Sequence, residues 1–164
     1  MPTDCISYQN SGYFSLLMND YLDQKNDLQS LYNRFPTIEN FEGQILEKQA
    51  NYDDSNRIAL VSVLQKQYAA IETSHLTQQN IEALKVTNTF TVTTGHQLNL
   101  FTGPLYFLYK IISTINLTKE LKAKYPAYNF VPIYWMATED HDFEEINYFN
   151  FKGKKFRWNK ESTG

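Results

Sequence analysis

Cysteine is almost missing from this 164-residue sequence. Cys5 stands alone, which excludes an internal disulfide and any multi-cysteine metal site. A lone thiol near a terminus carries no catalytic pattern of its own. Six glycines and five prolines are too few for a collagen-like, linker-like or low-complexity chain. Long apolar runs are also lacking: residues 104–109 and 130–137, the most apolar stretches, are far too short to cross a bilayer. Residues 1–14 have neither a basic start nor an apolar centre, so they do not read as a secretory signal. Nor does one charge dominate, since a formal net charge of −3 gives no pull toward nucleic acid or anionic membrane. No internal repeat is visible. The expectation is a soluble cytoplasmic protein with no membrane or nucleic-acid partner.

What is present is core-forming material. Hydrophobic residues make up 42% and charged residues 20%, the range of a folded chain. Residues 1–86 read as a helical segment. Ile58, Val61, Leu64, Tyr68 and Ile71 recur at steps of three and four, predicting one buried face of a helix from about Asp54 to Glu72. Another helix is expected to open at Thr77, with Leu76 and Ile81 as a hydrophobic staple, and an earlier one at Thr37. Ser11 to Leu22 is a weaker helical candidate.

From residue 87 the pattern changes. Thr89 to Thr94 is β-branched and aromatic and reads as a strand. A loop, Gly95 to Thr102, is followed by a helix capped by Thr102, with Pro104 in its first turn. Leu108, Ile111, Ile112 and Ile115 are its expected buried stripe. Asn129 to Ala137 then reads as a strand covered on both faces. Strand, helix and strand in this order make a βαβ crossover, so residues 87–164 are assigned to an α/β domain with a parallel sheet. Tyr148–Phe151 and Lys155–Trp158 read as a strand pair turning at Gly153. Its lysines and aromatics fit a solvated hairpin better than a single-strand nucleic-acid surface. Two parallel strands do not make a stable domain without neighbours, so a fragment of a longer protein is expected.

Two constellations carry chemistry. The first, Thr93 to Pro104, leads from the end of a strand to the start of a helix, the edge at which open α/β sheets bind ligands. Gly95 and Gly103 permit close backbone approach, His96 can give or take a proton, and Gln97 and Asn99 orient polar groups. Free N–H groups near Thr102, Gly103 and Pro104, with Lys110 beyond, suit an anionic group. The same residues also fit plain turn glycines, a helix cap and a satisfied loop histidine. The second constellation is Glu139-Asp140-His141-Asp142-Phe143-Glu144-Glu145, with five carboxylates and one histidine in seven residues. Their mutual repulsion calls for a cation, amine or hydroxylated ligand, or else for acidic capping of a following helix by Asp140 or Asp142. The spacing matches no standard metal signature, and no metal is expected.

Residues 94–110, with Gly95, Leu100-Phe101-Thr102-Gly103-Pro104, Tyr106 and Lys110, together with Pro132 to Glu145, resemble the two signature segments of the bacillithiol-biosynthesis cysteine-adding enzymes, in the same order and at a similar separation. The resemblance implies a Rossmann-like, nucleotidyltransferase-like core preceded by helices. It also implies a coiled coil further along a longer chain, through which homo-oligomers would form. The activity implied is ligation of L-cysteine to glucosaminyl-malate; the cofactor is left open, ATP or another nucleotide being the natural source of an activated carboxyl for a ligase on this fold. Asp140, His141 and Asp142 would then act on the attacking amine, while Gly95, His96, Gln97, Thr102, Gly103, Pro104, Lys110, Glu139 and Glu144 would bind substrate. Two other readings stand beside it: a metal-dependent hydrolase using Asp140, His141, Asp142 and Glu145, and a non-catalytic piece that needs further chain to act.

Overall fold

The computed structural model describes residues 4–140 and 142–160. The chain divides into two compact units, residues 1–44 and 45–164. In the first, α1 (Tyr8–Ser11) is capped by Ser7 and ends at Gly12, whose φ of +70° is left-handed. That turn splits the helical stretch expected from Ser11, and α2 (Leu16–Leu22) restarts under a new cap, Ser15. A 3₁₀ segment, Asn26–Leu31, follows. Tyr21, Tyr32 and Phe35 pack as an aromatic cluster, with Tyr21 5.2 Å from each of the other two ring centroids. α3 (Phe41–Asn51) runs across the boundary between the units. Its expected start at Thr37 is instead a series of i→i+3 turns through Glu42, so the α-helix proper begins at Phe41.

The second unit holds α4 (Asp54–Tyr68), α5 (His75–Ala83), β1 (Thr89–Gln97), α6 (Leu105–Lys124), β2 (Asn129–Ala137), α7 (Phe143–Ile146), β3 (Tyr148–Phe151) and β4 (Lys154–Arg157). β1 and β2 pair in parallel from Thr89↔Asn129 to Gln97↔Ala137, which makes the expected right-order crossover through α6. Val131 and Ile133 pack with Leu60, Val61, Leu64, Ile81, Ala83 and Leu84 of the α4–α5 side. Tyr134, on the opposite face by strand alternation, meets Phe107 of α6 with ring centroids 5.4 Å apart. Helices therefore cover both faces of the two-stranded sheet. Coverage fails at the end of β2, where Trp135 and Met136 are exposed.

Three expectations need correction here. The buried face of α4 keeps the expected Val61 and Leu64 but turns toward Arg57 and Leu60, whereas Ile58 and Tyr68 are exposed and Ile71 lies beyond the helix. Arg57 sets this facing. Its guanidinium donates to the carbonyls of Leu84, Thr87 and Thr89 at 3.2, 3.1 and 3.0 Å, tying α4 to the connection between α5 and β1. The α6 stripe is also rotated. Thr114, Thr118 and Leu121 are buried, while Leu108, Ile112 and Ile115 are exposed. The threonines tolerate burial because their hydroxyls bond back to Lys110 O and Ile115 O at 2.8 and 2.7 Å. Finally, α5 begins two residues before Thr77, because Ser74, whose hydroxyl accepts from Thr77 N–H at 3.2 Å, takes the capping position.

β3 and β4 form an antiparallel hairpin. Positive φ values at both Lys152 (48°) and Gly153 (74°) match the two central residues of a type I′ turn, whose twist suits a two-residue hairpin. The second strand is therefore Lys154–Arg157, one residue earlier than expected.

Candidate functional site

β1 runs three residues further than its β-branched pattern suggests, so Gly95, His96 and Gln97 belong to the strand rather than to the loop. The pairing explains it: Gly95, His96 and Gln97 stand opposite Trp135, Met136 and Ala137. Gly95 is required there by space, since a Cβ would lie 2.8 Å from Trp135 O. After β1, Phe101 and Gly103 both take positive φ (49° and 63°), a sharp reversal that keeps the helix from starting early. Pro104, with ψ 157°, takes the N-cap position of α6, so the proline stands just before the first turn rather than in it. Gly103 packs against Asn99, whose Cγ would be 2.7 Å from an added Cβ.

His96 is the centre of the local network. Asn99 Nδ2 donates to Gln97 O and faces His96 Nδ1, both at 2.9 Å. His96 Nδ1 also lies 3.1 Å from Gln97 O, a carbonyl that only accepts, so Asn99 and the Gln97 backbone together hold this edge of the ring. The opposite edge is fixed by a hydrogen bond of 2.7 Å between Nε2 and Tyr106 Oη, whose direction follows the imidazole tautomer. Phe107 lies edge-on to the imidazole, and Tyr134 Oη reaches His96 O at 3.5 Å. Burial pushes the Tyr134 hydroxyl above the usual tyrosine range, which keeps it protonated. Lys110 Nζ donates to Gly95 O at 3.2 Å and lies 5.6 Å from the centroid of the Tyr106 ring.

The acidic segment begins straight after β2, at the same sheet edge. Gln97 Nε2 donates to Asp140 Oδ2 at 3.3 Å, so the two constellations touch. Asp142 caps α7, its carboxylate accepting from Glu144 N–H at 2.8 Å. Glu144 pairs with Arg157 of β4 at 3.1 Å, which turns it toward the hairpin. Glu139 is exposed. His141 and the side chain of Thr102 lie outside the described residues. Among the described residues no three His, Cys, Asp or Glu side chains converge as a metal site, and no helix is long and apolar enough to cross a membrane. Tyr106 and Tyr134 are the functional candidates that residue-by-residue reading passes over. Both stand in the signature segments, but only the fold brings them to His96.

Residues 1–164 match the family described as bacillithiol biosynthesis BshC, N-terminal Rossmann-like domain. The chain belongs to the BshC family. Proteins carrying the name "Putative cysteine ligase BshC" match it along its whole length: that of Flavobacterium johnsoniae is 78% identical over 164 residues, and that of Flavobacterium psychrophilum 69% over 165. The BshC protein of Christiangramia forsetii is 65% identical over 97% of the chain. The chain spans 31%, 31% and 30% of these relatives' lengths, so it corresponds to less than a third of each. The Rossmann-like α/β class expected from the sequence agrees with both the family description and the parallel crossover.

Proposed function

We propose that the full-length protein carrying this chain is a carbon–nitrogen ligase that joins L-cysteine to glucosaminyl-malate, the last step in making bacillithiol. The observation that carries the reading is the Gln97–Asp140 contact, which brings a strand-end loop rich in donors against a carboxylate cluster at one edge of a Rossmann-like sheet. An amide does not form from a free carboxylate in water without activation. ATP, or another nucleotide, is the natural source of an acyl-adenylate or acyl-phosphate of cysteine. The sugar amine attacks that carbonyl, the C–N bond forms, and the nucleotide or phosphate leaves. Lys110 and the N-terminal end of α6, which opens after Pro104, suit the anionic oxygens of such a reaction. Asp140 and Asp142, with His141 between them in sequence, suit the task of orienting the amine and taking its proton.

The deciding experiment is mass-spectrometric detection of bacillithiol from cysteine, glucosaminyl-malate and ATP, with the full-length protein and the 164-residue chain assayed in parallel. Product from the full-length protein alone supports the reading and shows that the site needs residues beyond this chain. Product from neither sinks it.

A further inference from the structure

β1 pairs with β2 along one side only, and the backbone directions show what its other side offers. In a parallel pair, alternate residues of a strand turn both N–H and C=O to the same neighbour. Asn129 N–H donates to Asn88 O at 2.9 Å, so Asn88, Phe90, Val92 and Thr94 face β2, while Thr89, Thr91, Thr93 and Gly95 face away. Two cations bear this out. Arg57 reaches Thr89 O at 3.0 Å and Lys110 Nζ reaches Gly95 O at 3.2 Å, each from outside the pair. Between these two stops, the N–H and C=O groups of Thr91 and Thr93 have no partner on that side among the described residues, and both threonines are exposed.

Cavities run along the same edge. One of about 290 Å³ touches the successive residues Thr89, Phe90 and Thr91 and is walled by Tyr52, Arg57 and Leu60. Another of about 480 Å³ touches Val92, Thr93 and Thr94 and is walled by Tyr106, Tyr109 and Leu117. Successive side chains of a strand point to opposite faces, so a cavity that touches three in a row lies beside the strand, not above it. The outer edge of β2 differs. By the same alternation Pro132 turns toward it, and a proline has no N–H to give a further strand.

From this geometry we infer that the free edge of β1 receives a further β-strand, supplied by the polypeptide that follows residue 164 in the full-length protein. The family description places this chain at the N-terminus, and the chain spans 31% of the Flavobacterium johnsoniae relative, so ample polypeptide exists to provide it. A two-stranded sheet is marginal in water by itself. A strand laid along the edge bonds the free groups of Thr91 and Thr93 and fills both cavities. Arg57 and Lys110 mark its ends, because each already holds a carbonyl that a longer ladder would use. The inference is independent of the ligase reading.

Hydrogen exchange of the full-length protein, resolved to single amides by electron-transfer fragmentation, tests the pairing. The Thr91 and Thr93 amides are expected to exchange within about ten-fold of the Phe90 and Val92 amides, which bond to β2. On an open edge they exchange at least about 100-fold faster than those, and that result overturns the inference. Photo-cross-linking of the full-length protein identifies the occupant, with benzoylphenylalanine in place of Thr91 and with isotope-labelled and unlabelled copies mixed. Cross-links from position 91 to residues beyond 164 of the same copy are expected. Cross-links that join labelled to unlabelled copies put a second molecule on the edge, and cross-links confined to residues 1–164 put an element of this chain there. Either of these overturns the inference.

Discussion

Gln97 and Asp140 meet at 3.3 Å although they lie on different strand ends of the crossover, one closing β1 and the other following β2. This single contact aligns the donor-rich loop with the acidic segment. Asp140 is also exposed, as the proposed contact with the attacking amine requires. Changing Asp140 and Asp142 together to Asn keeps their size while removing both charges. Turnover of the full-length enzyme, followed by product mass spectrometry, should fall by at least about 10²-fold, the usual contribution of a positioned acid or base. Gln97→Ala, which only releases the orientation of Asp140, should cost less than the double variant. Full activity in the Asp140→Asn, Asp142→Asn protein would remove these carboxylates from the chemistry.

Gly95 offers a different test, because its role is steric. A methyl group there meets Trp135 O at 2.8 Å and Trp135 Cβ at 3.0 Å, and neither can move without shifting β2. Gly95→Ala should therefore destabilise the β1–β2 pair by about 1–3 kcal/mol, as overpacking does. Faster hydrogen exchange at the amides of β1 and β2, with the β3–β4 hairpin unchanged, is the expected signature.

The sequence reveals the β2 strand to the residue, because Asn129 to Ala137 is a continuous apolar and aromatic run bounded by a proline-containing turn and a charged segment. It reveals α6 as a helix but not its facing. Periodicity favours the aliphatic stripe through Leu108 and Ile112, whereas the sheet takes the threonine stripe, whose polarity is hidden by back-bonding to the helix. Periodicity likewise cannot show that Arg57, a charged residue, is the one that α4 buries. At the candidate site, the residue types of both loops are legible, and so is their common edge. The His96–Tyr106 bond is not, since it depends on β1 continuing past Thr94 and on α6 starting only at Leu105.

Arg57 makes that hidden bond pattern measurable. One guanidinium serves three carbonyls, two of them on the buried residues Leu84 and Thr89, and a neutral side chain of similar length offers these no donor. Arg57→Met should cost about 2–4 kcal/mol, from unsatisfied acceptors rather than lost apolar area. Lysine, a point charge without the fork, should recover only part of that. Exchange protection at the amides of α5 and the start of β1 reports the loss directly.

Asp53 supplies a pH signature for the same layer. Its carboxylate caps α4 by accepting from Ser55 N–H at 2.7 Å, and that bond, chiefly to the backbone, holds its pKa below the usual carboxylate value. Because the folded pKa is the lower one, the cap's contribution is complete above the unfolded value of about 4 and is lost as pH falls through the folded value. Protection of the first turn of α4 should therefore hold from neutrality down to about pH 4 and decline below it. Asp53→Asn, an acceptor of the same reach that does not titrate, should flatten that decline while keeping the helix start. A first turn that loses protection identically in both proteins would show that the acid sensitivity comes from elsewhere, and NMR titration of the Asp53 carboxyl would locate it.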